Sequence, residues 1–260
     1  MEFIDFVRKL AFNPCIGGFC AYRISFIRDL KLRVEHLASG SGLIIKGKRS
    51  DNVLLCFMDD PGCMVFDNRA ICWYYSLNEF EGFPVFVYDY INDLMFKAKV
   101  KLEDRKLRII NESKGKAQVT SHATVFTFYP QLAMDGVLVI GTNLVSLVPL
   151  AIVLKACLKY GVTAMLLTKG FSAPYTISIA LNELRKSFQG FKYIIVGDDR
   201  RLINYVEEYL LNNRGVITDV LKIPMTYLGR GLWKTTYRDI ESAIEKVTDK
   251  IKDIGFTKSI

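Results

Sequence analysis

The sequence predicts an α/β fold, a mixed and largely parallel sheet flanked by helices, with a small β-barrel or sandwich domain inserted into it. Two observations carry this expectation. After Asp135, apolar strand-like runs alternate with longer helix-like ones, the pattern of parallel strands joined by crossover helices. From Cys63 to about Phe128 the chain instead shows short apolar and aromatic alternations punctuated by Asp, Asn and Gly, as in a small β-unit. Residues 1–64 and 135–260 are thus expected to form one α/β domain, and residues 65–134 an inserted β-domain.

In chain order, Phe3, Phe6, Val7 and Leu10 share one helical face, and Asn13-Pro14 stops that helix before a Gly17-Gly18 turn. A second helical stretch, Cys20 to Leu32, leads to strand-like Gly42 to Ile45 and Asn52 to Met58. The inserted region offers strands at Ala70 to Tyr75, Pro84 to Tyr90, Lys97 to Leu102 and Leu107 to Ile110. Beyond it come Val137 to Ile140, Leu144 to Tyr160, Val162 to Leu167, Thr176 to Phe188, Tyr193 to Val196, Leu202 to Asn212, Val220 to Ile223 and Asp239 to Ile254. In the last of these, Ile240, Ala243, Ile244, Val247 and Ile251 form an apolar stripe suited to covering a sheet.

A chain of 260 residues, 50% hydrophobic and without low-complexity tracts, has the material for a sizeable core, which excludes disorder as its main theme. The net charge of +8 permits contact with nucleic acid or an anionic surface, but Lys and Arg are scattered and their densest stretch is only Lys46 to Arg49. The start, MEFIDFVRKL, lacks the features of a signal peptide, so a cytoplasmic location is expected. The uncharged run Gly136 to Leu154 approaches membrane-spanning length, but its Gly141-Thr-Asn143 and Pro149 suit a buried strand, a turn and a buried helix; no membrane is expected as a partner. Gln118, Gln131 and Gln189 are the only glutamines, while Lys, Arg, Ile and Tyr abound, which points to a thermophilic source.

The six cysteines read as buried thiols, with Cys15 and Cys20 able to pair. Cys56, Cys63 and Cys72 make no C-x-x-C pair, so a structural zinc site has little behind it. Asp59 and Asp60 follow an apolar strand, where they could hold a cation or begin a turn with Pro61 and Gly62. Gly141 to Ser146 lies where a dinucleotide-binding turn would, but Asn143 and Ser146 replace the later glycines that let a pyrophosphate approach. Asp198-Asp199 precedes a helix that at least one of them would cap, and neither His36 nor His122 stands in a recognisable catalytic arrangement.

Three stretches resemble a known family. Ala11-Phe-Asn-Pro-Cys-Ile-Gly-Gly-Phe19, Asp51 to Val65, and Ile223-Pro-Met-Thr-Tyr-Leu-Gly-Arg230 with Tyr237 to Ala243 are similar, in order and spacing, to the opening, His-x-Asp strand and closing segments of the archaeal TET-type and glutamyl aminopeptidases. The resemblance implies an aminopeptidase-like fold, a dinuclear zinc centre and assembly through the inserted β-domain. It also implies what has been lost. Phe57 stands at the imidazole ligand, with Asp59 retained behind it. Thr142 and Asn143 stand at the metal-bridging Asp turn, Thr168-Lys-Gly170-Phe171 at the Glu-Glu pair, and Gly229 at the final His ligand. Asp198 is a vestigial ligand candidate, and the Asp199 to Ile223 segment reads as shortened.

A phenyl ring, neutral side chains and glycine give zinc no ligands. The expectation is therefore a pseudopeptidase with no catalytic residues and no cofactor, acting by binding or assembly as a homo-oligomer, or as a hetero-oligomer with an active aminopeptidase paralogue. Two alternatives stay open: a residual or altered hydrolase using Asp59 and Asp198 with zinc or cobalt, and a nucleic-acid or nucleotide-binding module at the Gly141 turn.

Overall fold

A strand buried at every position lies in the middle of the main sheet, where both faces are covered. In the computed structural model, which describes residues 2–66, 69–89, 91–103, 106–111, 117–118, 124–187, 192–197, 200–212 and 216–253, Val162–Leu167 is buried at every position. Its neighbours follow from the order of elements. The chain begins with helices α1 (Phe3–Ala11) and α2 (Ala21–Asp29), then strands β1 (Val34–His36), β2 (Gly42–Ile45) and β3 (Arg49–Phe57). Next come β4 (Gly62–Phe66), β5 (Arg69–Trp73), α3 (Leu77–Phe80), β6 (Pro84–Asp89), β7 (Leu94–Glu103), β8 (Lys106–Asn111), β9 (Ala117–Gln118) and β10 (Thr124–Phe128). The remainder is β11 (Leu132–Asp135), β12 (Leu138–Thr142), α4 (Leu144–Tyr160), β13 (Val162–Leu167), α5 (Thr176–Ser187), β14 (Lys192–Val196), α6 (Arg200–Asn212), β15 (Val216–Leu221), β16 (Thr226–Gly229), β17 (Leu232–Thr236) and α7 (Tyr237–Asp253).

Three sheets result. The main one has the order β1-β2-β13-β3-β14-β15; β13, β3, β14 and β15 run parallel, while β1 and β2 pair antiparallel at one edge. This is the mixed, largely parallel sheet flanked by helices that the alternation predicts. The segment between β3 and β11 forms a seven-stranded antiparallel sheet, β5-β4-β10-β6-β7-β8-β9, around its own cluster of buried side chains, among them Val85, Val87, Val100, Phe126 and Phe128. The third sheet, β11-β12-β17-β16, is a four-stranded antiparallel unit that the sequence reading did not anticipate at β11, β16 and β17.

Helix α4 is apolar on nearly all sides because it is buried on nearly all sides, with Leu144 to Leu154 within the core. It packs on β3 and β13 and is flanked by α1 and α7, whose apolar stripe (Ile240, Ala243, Val247, Ile251) is buried as its spacing predicts. The strand, turn and helix expected for Gly136 to Leu154 are present as β12, the Asn143 turn and α4. No helix among the described residues is long and apolar enough to cross a membrane.

One expectation fails outright. Cys63 and Cys72 are not buried thiols but a disulfide joining β4 to β5, where they are direct cross-strand partners with Cα atoms 4.0 Å apart. The register of the hairpin, absent from the spacing of the two residues, sets this pairing. Cys15 and Cys20 are also paired, whereas Cys56 and Cys157 are free and buried, and burial pushes both of their thiols up.

Candidate functional site

The residues that the sequence singles out gather at the end of β3. That strand delivers Phe57, Met58, Asp59 and Asp60 into the interior, all of them buried. Asp59-Asp60-Pro61-Gly62 does turn the chain from β3 into β4, but it does so inside the protein, and its two carboxylates face different partners. A side-chain carbon at Gly62 would lie 2.5 Å from the carbonyl oxygen of Phe126, so glycine alone fits there.

Asp60 is held by Arg23, a fully buried residue of α2. The guanidinium donates to Asp60 Oδ1 at 3.0 Å and Oδ2 at 2.7 Å, and its other N–H groups reach the backbone carbonyls of Asn13, Met58 and Leu10. The Cys15 N–H and the Ser146 hydroxyl complete the shell of Asp60, at 3.1 and 3.0 Å. The ion pair ties α2, the loop after α1, the end of β3 and the start of α4 to one point.

Among the described residues no cation pairs with Asp59. Its oxygens accept backbone N–H groups from Gly170, Phe171 and Ser172, at 3.0, 3.0 and 3.4 Å. Burial pushes its carboxyl up to about 7, against the pull of the Phe171 and Ser172 donors, and the charge of Asp60 raises it further. The loop after β13 is thus wrapped around the Asp59 carboxyl group.

Phe57 and Gly170 are in direct contact: a Cβ on Gly170 would fall 2.3 Å from the Phe57 ring. From there a row of aromatic rings begins. Phe57 meets Phe171 edge-on at 5.1 Å, Phe171 meets Tyr74 at 5.1 Å, and Tyr74 meets Tyr75 at 5.1 Å. Tyr75 stacks on Tyr227 at 5.7 Å, and Tyr227 lies 5.0 Å from Trp233. Hydrogen bonds stitch the far end: Trp233 Nε1 donates to Tyr75 Oη at 2.9 Å, and Tyr75 Oη donates to Asn143 Oδ1 at 3.5 Å. Burial holds the Tyr75 hydroxyl well above its ordinary range, so it serves as a neutral donor.

Asn143 adopts a left-handed backbone (φ 55°), tolerable for Asn, and joins three segments. Its N–H donates to Gly231 O at 3.1 Å and its Nδ2 donates to Thr127 Oγ1 at 2.9 Å. Thr142 turns elsewhere, its hydroxyl donating to Tyr129 O at 3.2 Å and accepting from Gln131 N–H at 3.0 Å. Gly229 lies on the β16–β17 hairpin with nothing within 4 Å of where a Cβ would be, two residues from Tyr227. The structure therefore brings Phe57 and Gly170 into contact and links Asn143 to them through Tyr75, while Thr142 faces away and Gly229 stands at the rim. Asp198, Asp199 and His122 lie outside the described residues. The exposed His36 meets Arg28 at 3.1 Å.

The Gly141 to Ser146 turn is packed into the interior. Thr142, Asn143 and Ser146 are buried, and the Ser146 hydroxyl is engaged by Asp60. Among the described residues, two buried polar side-chain atoms have no hydrogen-bond partner, Trp73 Nε1 and Ser172 Oγ. An unsatisfied buried donor costs about 1–3 kcal/mol.

Sequence reasoning missed Arg23, whose charge on a helix reads as a solvated face, and it missed the rings of Tyr74, Tyr75, Tyr227 and Trp233. The run Trp73-Tyr74-Tyr75 at a strand end was the available signal, since three aromatic residues in succession rarely all face water.

The fold is that of the aminopeptidases. A peptidase of Pyrococcus horikoshii, TET1, described as able to assemble into a tetrahedron or a large octahedral shell, superposes with a TM-score of 0.71 at 12% identity, covering 95% of this chain and 98% of that one. A TET aminopeptidase of a marine sediment archaeon of the Thaumarchaeota gives 0.69 at 10% identity, with 96% of both chains covered. A Thermotoga maritima protein described as an endoglucanase gives 0.68 at 12% identity, over 96% and 99%. No family model matches the sequence, and no curated protein matches it.

Proposed function

We propose that this chain is a non-catalytic aminopeptidase-like protein, a pseudopeptidase that acts through binding or assembly. The observation that carries the reading is the packing of Phe57 on Gly170 beside a carboxyl, Asp59, whose oxygens are taken up by three backbone N–H groups. A dinuclear zinc centre needs several imidazole and carboxylate ligands with lone pairs facing a common point. The positions that correspond to them under the family resemblance carry a phenyl ring, a threonine, an amide and two glycines. The donor set therefore does not fit the metal pair, and no hydrolytic step is derived through it.

Assembly is the function left to a body of this shape. The neighbouring structures include one described as able to assemble into a tetrahedron or a large octahedral shell, and the region of residues 65–134 is the part of this chain proposed to make assembly contacts, with further copies or with an active paralogue. A cytoplasmic setting is part of the same proposal.

The test has two arms. Elemental analysis of the purified chain after incubation with zinc or cobalt, together with a panel of aminopeptidase substrates, is expected to give substoichiometric metal and no metal-dependent cleavage. Stoichiometric metal with cleavage would overturn the reading in favour of an altered hydrolase. Mass photometry of the chain alone and mixed with an active paralogue is expected to show closed oligomers; a monomer in both samples would remove assembly from the proposal.

A further inference from the structure

Helices α1, α4 and α7 leave a cleft of about 520 Å³ between them, a size usual for small-molecule sites, and none of the residues at the end of β3 lines it. Its floor is apolar: Phe3 comes from α1, Ile152 and Ala156 from α4, and Ile244 and Val247 from α7. Tyr160 Oη and Thr248 Oγ1, 3.3 Å apart, tie the two longer helices together beside it. The charges on its walls are sorted by helix. Lys155 and Lys159 stand one turn apart on α4, and Glu241 and Glu245 one turn apart on α7, and all four line the cleft. Lys155 reaches over the rings of Phe3 and Phe6, at 5.6 and 6.0 Å, and Lys159 over that of Tyr160, at 5.1 Å. Lys159, Glu241 and Glu245 are exposed, so solvent enters at the charged rim, and among the described residues these three make no ion pair.

We propose that this cleft binds an apolar zwitterion, whose carboxylate meets Lys155 and Lys159, whose ammonium meets Glu241 and Glu245, and whose aliphatic body covers the floor. Charge complementarity selects the ligand. A simple anion is repelled by the glutamates and a simple cation by the lysines, whereas a zwitterion lying across the cleft satisfies both walls. Its length follows from the helices: packed helices have axes about 8–10 Å apart, and an extended chain advances about 3.3–3.6 Å per residue. Two or three residues therefore span from wall to wall, where a free amino acid falls short. The site does not depend on whether the chain cleaves peptides.

Isothermal titration of the full chain with leucyl-leucine, in EDTA to suspend any metal-dependent cleavage, is expected to give saturable binding, tighter than that of leucine. Leucine binding as tightly as the dipeptide would keep the site and make the free amino acid its ligand. N-acetyl-leucyl-leucine, which lacks the cation, and leucyl-leucine amide, which lacks the anion, should each bind about tenfold more weakly. Lys159→Met and Glu245→Gln change exposed positions, and unaltered thermal unfolding would report an intact fold. Each should weaken leucyl-leucine about three- to tenfold, and Lys159→Met should narrow the gap between the dipeptide and its amide. Three results would overturn the proposal: no saturable binding of either leucine or leucyl-leucine; blocked analogues that bind as tightly as the parent; or binding untouched by both substitutions.

Discussion

Asp59 and Asp60 are adjacent and almost equally buried, yet the regions on their two sides hold them by different means. On the side of α1 and α2, Asp60 meets a guanidinium that is itself bonded to three carbonyls, and charge answers charge. On the side of the loop after β13, the described partners of Asp59 are peptide N–H groups, which stabilise its anion less than burial destabilises it. Burial alone does not decide whether an interior carboxyl is ionised. The partner does, and the two partners give the two regions different sensitivities.

The largest effect should come from the charged side. Arg23→Ala leaves the Asp60 carboxylate buried without a counter-ion and strips three carbonyls of their donor, so urea unfolding should show a loss of about 3–5 kcal/mol. A loss below about 1 kcal/mol would mean that Asp60 is not held as an anion. The neutral side should respond to pH instead. Between about pH 4 and pH 7 the folded chain keeps a proton on Asp59 that the unfolded chain, with its carboxyl at the ordinary 3.8, has released. Stability contributed by this group therefore falls as pH rises through that window and levels off above it. Subtracting the stability curve of Asp59→Asn from that of the unaltered chain should expose a decline on the order of a few kcal/mol; a curve that rises over the window would break the comparison.

Gly170→Ala tests how closely the loop of Asp59 is pressed onto β3. A Cβ 2.3 Å from the Phe57 ring must displace one of them, at about 1–3 kcal/mol, and Phe57→Leu in the same chain should recover part of the loss. Strict additivity of the two substitutions in chemical denaturation would deny the contact. The smallest effect is expected for Ser146→Ala, which removes one hydroxyl from Asp60 and leaves its guanidinium in place, about 1 kcal/mol by the same measurement.

Much of the main sheet was legible because its signals are local. Val162 to Leu167 reads as a strand buried on both faces and is one, and the stripe of α7 reads as a core-facing helix and is one. The four-stranded sheet escaped because β11 and β16 expose most of their residues, which leaves no apolar alternation to read. At the site, Phe57, Asp59, Asn143 and Gly170 were singled out, but not what they touch. Arg23 and Asp60 are separated by 37 positions and Tyr75 and Trp233 by 158, and only the folded chain makes such pairs neighbours. The two disulfides divide the same way: a pairing of Cys15 with Cys20 was open from proximity in sequence, whereas that of Cys63 with Cys72 waited on the β4–β5 register.

The row of rings that begins at Phe57 bears on time as well as on space. Tyr75 is touched by Tyr74, Phe80, Phe128 and Tyr227, and Phe80 in turn by Phe126 and Phe128, stacked on the latter at 4.1 Å. A phenol can turn about its long axis only when its neighbours draw back together, and a close-packed interior gives them little room. The half-turns of Tyr75 should therefore be slow enough for its two edges to give separate NMR signals, making this ring a clock for the breathing of the molecule where its three sheets meet.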